Sequence, residues 1–339
     1  MSPVVVILAP MLITACAIAW LRRSRIAQRL GDQPNERSLH SHVTPRVGGL
    51  AILLGALPLA AWHASTAVGL VLAAAGLLAI VSLADDAQSL PVAVRLPAHF
   101  AGAVVAVLVF APGWLEGASG WALALVLTCA IAWMTNLFNF MDGADGLAGG
   151  MAAIGFGTMG WVAWQAGAIP LATACIALAS ASVGFLAWNL PPARVFMGDA
   201  GSIPLGFLAG ALGLAGVAEA AWPWWFPLMI FSPFIVDASV TLLRRALRRE
   251  PVWRAHREHA YQRLVLAGWS KRRLAAASFA LMAAVAVSAC AALRQGATGR
   301  YAIISVWAVA FVLLLATIER RCRKSPTSDQ ETPASGLGP

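Results

Sequence analysis

The chain has 339 residues, of which 60% are hydrophobic and only 12% charged, with a mean hydropathy of +0.75. That balance excludes an ordinary soluble domain and implies a membrane protein. Neither the net charge of +9 nor the pI near 10.3 indicates a nucleic-acid binder, because most arginines lie beside apolar segments, where the positive-inside rule puts them. The cysteines are unclustered, four in apolar runs and Cys322 in a basic tail, so neither a disulfide framework nor a zinc pattern is present.

A helix needs roughly 20 mostly apolar residues to cross a bilayer. By that measure the sequence predicts about eleven transmembrane helices, at 4–21, 48–66, 68–84, 95–111, 121–137, 147–165, 168–188, 203–220, 222–243, 273–293 and 300–318. The first run, Val4 to Trp20, has no positive residue before it and Arg22, Arg23 and Arg25 just after. That order predicts an uncleaved first helix with its N-terminus outside. The loops 22–47, 85–94, 138–146, 189–202 and 244–272 then fall in the cytosol, together with a tail, 319–339, that is first basic and then disordered. Of the 24 Lys and Arg residues only Arg294 and Arg300 lie outside, the asymmetry this threading requires. The expected fold is an all-α polytopic membrane protein with a single transmembrane domain over 1–318, its C-terminus cytosolic.

Five aspartates stand out at helix ends or in short loops on that face: Asp85, Asp86, Asp142, Asp145 and Asp199. Carboxylates near hydrocarbon are costly unless partnered or functional. Asp85 and Asp86 close the third span, where they are either a solvated helix terminus or share a cation. Asn136, Asn139, Asp142 and Asp145 recur every third residue and on helical geometry trace one slowly rotating stripe. Gly143 and Gly146 remove side chains beside both aspartates, which permits a tight turn or close approach of a ligand. The next apolar span could turn its N-terminal amides toward phosphate. The segment from Asn189 to Ser202 holds Phe196-Met197-Gly198-Asp199, where Asp199 is either a helix cap or an Mg²⁺ ligand and Phe196 could stack on a base. In the longest cytosolic loop, His256 and His259 lie three apart among several arginines. That pattern suits phosphate contacts, a basic helix on the membrane surface, or, more weakly, zinc.

In this order the motifs resemble the polyprenyl-phosphate N-acetylhexosamine-1-phosphate transferase family over about Arg37 to Leu264. The carriers are Arg37-Ser38-Leu39-His40 with Thr44 to Gly49, the Asp85-Asp86 pair, Asn136 to Gly146, Phe196 to Asp199, Asp237 before Arg244-Arg245, and the His-x-x-His-x-Tyr-Gln-Arg-Leu loop from His256 to Leu264. The loop departs from the His-His-His form of the peptidoglycan and common-antigen enzymes and is closer to the branch that begins O-antigen or exopolysaccharide chains.

The resemblance implies transfer of a sugar phosphate from a UDP-N-acetylhexosamine to undecaprenyl phosphate at the cytosolic face of a bacterial inner membrane. It implies Asp199 as ligand of Mg²⁺, with Mn²⁺ as substitute, and Asp85 as proton acceptor supported by Asp86. Asn136, Asn139, Asp142, Asp145, Asn189 and Phe196 would hold the uridine and sugar, and His256, His259 and Arg263 the diphosphate or sugar. It leaves room for a homodimer and implies no nucleic-acid partner. A secondary transporter would also use membrane carboxylates, but its binding groups tend to lie near the midplane between repeats. The CDP-alcohol phosphotransferase type requires an Asp-Gly-x-x-Ala-Arg element, which Asp142 to Leu147 lacks.

Overall fold

The computed structural model describes residues 3–33, 43–88, 90–252 and 256–324. In chain order the helices are α1 (Pro3–Leu21), α2 (Arg25–Arg29), α3 (Gly48–Trp62), α4 (Thr66–Gln88), α5 (Val92–Phe110), α6 (Gly117–Phe140), α7 (Leu147–Gln165), α8 (Ile169–Asn189), α9 (Asp199–Ala218), α10 (Trp225–Ile230), α11 (Ser232–Leu247), α12 (Ala260–Leu266), α13 (Lys271–Leu293) and α14 (Ala297–Lys324). Nine are long and apolar enough to span a membrane among the described residues. The chain is therefore an all-α multi-pass membrane protein, as composition requires. In hydrocarbon only internally bonded backbone is stable, which is why nearly every apolar run is helical.

Two expected spans differ from the rest. The run at 48–66 forms only the 15 residues of α3, roughly 22 Å of helix, before the turn into α4. The run at 222–243 is not one helix. It breaks at Phe231, where Pro233 cannot donate the hydrogen bond that would carry α10 into α11. α11 is strongly two-sided: Asp237, Thr241 and Arg245, four apart, are buried, while Leu243 and Leu247 are exposed. Elsewhere helix runs further than expected, since α4 carries Asp85 and Asp86 within its last turn and α12 interrupts the loop at 244–272. The motif from Arg37 to His40, Arg254 and the tail beyond Lys324 lie outside the described residues.

α9 is the hub, almost wholly enclosed and packed chiefly against α4 and α6; α7 and α8 are the next most buried spans, whereas α14 is largely open to lipid. Glycines set the spacing at the hub. A methyl group at Gly49 would overlap the Gly201 backbone, and one at Gly201 would overlap Gly49. Backbone cannot swing aside as a side chain can. Gly201→Ala is therefore expected to destabilise the bundle by roughly 1–3 kcal/mol and to impair any chemistry at Asp199, two residues away. Thermal unfolding in detergent checks the first effect and an activity assay the second.

Among the described residues one element, a two-stranded ladder, is not helical. β1 (Gly31–Asp32) pairs antiparallel with β2 (Thr44–Pro45), Gly31 opposite Pro45 and Asp32 opposite Thr44. This short ladder brings Asp32 beside Arg46.

Candidate functional site

Consecutive helix positions point about 100° apart, so Asp85 and Asp86 face different neighbours. Asp85 turns to α5, where its Oδ2 lies 2.7 Å from Arg95 Nη1 and its Oδ1 accepts the Leu90 amide at 2.6 Å. Asp86 turns to the start of α9. There its Oδ2 accepts the Ala200 amide at 3.2 Å, and its Oδ1 stands 3.5 Å from Arg46 Nη1. Arg46 also pairs with Asp32 across the ladder. The pair is thus not a bare solvated terminus. Each carboxylate has its own arginine and its own backbone amide.

Asp199 opens α9, a position where the helix dipole favours negative charge. The chain reaches it through Gly198 at φ +75°, a conformation that favours glycine, and a methyl group there would crowd Arg46 and Asp86. Asn139 Nδ2 donates to Asp199 Oδ1 at 2.8 Å and to Ser202 Oγ at 2.9 Å. Arg95 Nη1 lies 3.9 Å from Asp199 Oδ2, so a single guanidinium stands between Asp85 and Asp199. Asp142 follows the end of α6, in the turn before α7. Burial, then the like charges of Asp199 and Asp86, push its carboxyl well above the ordinary range, against the pull of Arg46 and the Gly198 amide.

Four carboxylates from α4, the Asp142 turn and α9 therefore converge on two arginines. Arg95 is not among the residues that sequence spacing or resemblance assigns to the site. The only signal was a cation at the start of an apolar run, and that reads equally well as topology. Arg46 lies within the Thr44 to Gly49 segment, to which the resemblance attaches no individual role.

The remaining candidates divide. Asn136 belongs to the α5–α6 seam, donating to Ala132 O at 2.7 Å and lying close to the buried His99. Asp145 is turned away from the cluster: Lys271 Nζ stands 3.1 Å from its Oδ1, and its Oδ2 accepts the Ala193 amide at 3.0 Å. The three-residue stripe ends with α6 at Phe140, because a tight turn takes Asp142 and Asp145 to different partners. Asn189 accepts the Gly146 amide at 2.8 Å and donates to Val195 O at 2.9 Å, tying the turn to the loop before α9. Phe196 is held through its main chain, its amide on Pro45 O at 2.9 Å and its carbonyl accepting from the Gly48 amide at 2.9 Å.

The histidine loop reaches the same end of α6. Asp237 Oδ1 accepts the Ala260 amide at 2.8 Å and its Oδ2 the Tyr261 amide at 3.3 Å, which fixes the start of α12. Tyr261 Oη donates to Phe140 O at 3.0 Å through space that Gly143 leaves open. His259 stacks between Phe140 and Tyr261, with His256 4.9 Å away. Arg263 instead faces α14, 2.6 Å from Glu319. Arg245 and Arg248 pair with Glu250 and Glu258, so the loop is a tied structure rather than a solvated basic surface.

Burial, followed by His259 and Arg245, lowers His256 to about 4 despite Asp237, and its Nδ1 accepts the Glu258 amide at 3.3 Å. The ring is neutral near pH 7. Because the folded value lies below the ordinary 6.5, the unfolded chain takes up the proton first. Stability from this group is complete above pH 6.5 and is lost as pH falls toward 4. An NMR titration assigned with His256→Gln is expected to show no His256 midpoint above about 5; a midpoint near neutrality would contradict the half-buried, neutral ring.

Among the described residues no three His, Cys, Asp or Glu side chains form a metal cage, and the two histidines have no further zinc ligands. Mg²⁺ makes a different demand, usually one or two carboxylates with substrate phosphates and water completing the shell. All the acids here offer oxygen donors, and Asp142 has the carboxylates of Asp199 and Asp86 as its nearest like charges. That donor set fits Mg²⁺.

Residues 68–217 match glycosyl transferase family 4. The chain is 29% identical, over 73% of its length and 74% of the relative's, to a Bacillus subtilis protein named as a probable undecaprenyl-phosphate N-acetylglucosaminyl 1-phosphate transferase. It is 30% identical to the undecaprenyl-phosphate alpha-N-acetylglucosaminyl 1-phosphate transferase of Yersinia pestis, over 77% of this chain and 78% of that one. It is 28% identical to the phospho-N-acetylmuramoyl-pentapeptide-transferase of Geobacillus kaustophilus, over 80% and 89%. With the Asp85, Asp86 and Asp199 elements inside the matched region and the likeness running across most of both chains, this protein belongs to glycosyl transferase family 4.

Proposed function

We propose that the protein transfers N-acetylhexosamine 1-phosphate from a UDP-sugar to undecaprenyl phosphate, releasing UMP, as the first step of a cell-surface polysaccharide such as O-antigen. The observation that carries this reading is the convergence of Asp85, Asp86, Asp142 and Asp199 on Arg46 and Arg95. Acids alone would repel a diphosphate, and arginines alone would hold it without a place for a metal. The alternation of the two suits phosphoryl transfer, which depends on positioning and charge neutralisation. The membrane is a bacterial inner membrane, with the site on its cytosolic face and UDP-sugar arriving from solution. No relative described above is a transporter, and no observation favours that alternative.

In the reaction an oxygen of the lipid phosphate attacks the sugar-proximal phosphorus. The bond from that phosphorus to the UMP oxygen breaks, leaving a lipid-linked sugar diphosphate. Asp199 would hold Mg²⁺, or Mn²⁺ in its place, with the neighbouring carboxylates of Asp142 and Asp86 close enough to favour a cation there. The ion would neutralise diphosphate oxygens and stabilise the charge of the leaving UMP. Arg95 and Arg46 hold the acids apart and offer guanidinium groups to phosphate. Asp85 already accepts from Arg95 and Leu90. A phosphate monoester is mostly dianionic at pH 7, its second pKa being about 6, so Asp85 has little proton to remove and acts chiefly through Arg95. Neutral His256 and the stacked His259 face the donor, and Phe196 stacks on uracil.

Purified protein with Mg²⁺ and undecaprenyl phosphate should release UMP from one member of a panel of UDP-GlcNAc, UDP-GalNAc and UDP-6-deoxy-N-acetylhexosamines. No release above the acceptor-free control with any donor would refute the proposal.

A further inference from the structure

We propose that Glu319, on α14, is a positioning residue that sets where the His256–His259 segment sits over the end of α6. The proposal rests on the reading of that segment as part of the donor site. Glu319 Oε2 lies 2.6 Å from Arg263 Nη1 on α12 and 3.2 Å from Arg244 Nη1 on α11. One carboxylate oxygen thus stands between two guanidinium groups from different helices. Without it the two cations would face each other and push α11 and α12 apart, so its loss removes more than a lone surface pair would.

α12 depends on such ties. At seven residues it is too short to persist alone. Beneath it lies an apolar cavity of about 200 Å³, bounded by Met141, Leu264, Leu274, Phe311 and Ile318. Close packing therefore does not dictate how α12 sits against α14, and polar contacts must. One end is pinned by Asp237 and by Tyr261 on Phe140 O. The other is pinned by Glu319 and by Cys322 Sγ, which donates to Arg263 O at 3.6 Å. Arg263 itself gains from the arrangement: its hydrogen bond to Glu319 outweighs burial and raises its pKa. A helix otherwise given over to lipid contact carries, at its last turns, the groups that fix the histidine loop.

The test compares wild type, Glu319→Gln and Glu319→Asp as full chains in detergent. It measures deuterium uptake over 256–266, donor KM and kcat, and thermal midpoint. For Glu319→Gln, uptake should rise in 256–266 alone and donor KM should rise roughly three- to tenfold. The turnover number and thermal midpoint should hold, and Glu319→Asp should recover most of the KM. High salt on the wild type should reproduce the local uptake by screening the pairs, which keeps the test decisive if Glu319→Gln does not fold. Unchanged uptake overturns the proposal. So does raised uptake with unchanged KM, or a general loss of protection with KM and kcat changing together, which would mark a purely structural tie. Should wild type turn over no UDP-sugar, the transfer reading fails, while the uptake measurements still decide whether Glu319 holds the loop.

Discussion

Asp199→Asn is expected to reduce transfer by roughly three powers of ten or more while the bundle still assembles. The substitution keeps the size of the side chain and its place at the start of α9, and an amide oxygen still accepts from Asn139. What disappears is the negative charge that faces Arg95 and that would hold Mg²⁺ against the donor diphosphate. The loss should fall on turnover and on Mg²⁺ dependence rather than on membrane insertion. The measurements are UMP release across an Mg²⁺ series and size-exclusion behaviour in detergent. Turnover close to wild type would end the metal assignment, and an aggregated protein would show that Asp199 serves the fold first.

Arg95→Leu is expected to be the next most damaging change, for an electrostatic reason. Arg95 Nη1 is 2.7 Å from Asp85 and 3.9 Å from Asp199, so its removal leaves two acids, with Asp86 close by, facing one another without their cation. Stranding a buried charge costs several kcal/mol. Here one third of the arginine side chain is open to solvent, so screening reduces the cost, and a fall of roughly two powers of ten in kcat/KM is the expected scale. Arg95→Lys restores the charge but not the planar fork and should fall between. If Arg95→Leu retains wild-type kcat/KM, Arg95 is a topological cation and nothing more.

How far the site could be read in advance depended on the type of signal. Asp85, Asp86, Asn139, Asp142 and Asp199 were legible because acids and amides at the ends of apolar spans are costly. Asp145 and Asn189 satisfied the same rule, yet the fold gives them Lys271, the Ala193 amide and the Gly146 amide as partners. The sequence cannot show a partner 126 positions away. The family resemblance implies Arg263 as a donor ligand, and in the fold its guanidinium pairs with Glu319 on α14. The break before Ser232-Pro233 was available from the proline alone, although hydropathy made 222–243 look continuous.

Composition and the placement of arginines, by themselves, determined that this is a multi-pass helical membrane protein and which loops carry its acids. Both follow from the cost of leaving backbone or charge in hydrocarbon, a cost that depends on residue type and spacing. Only the tertiary structure decided which acids share a site, which arginines stand among them, and that the last turns of α14 hold the histidine loop. Those outcomes depend on which helix faces which. That is set by glycine contacts such as Gly49 against Gly201 and by the turn that parts Asp142 from Asp145, features that exist only once distant segments have packed.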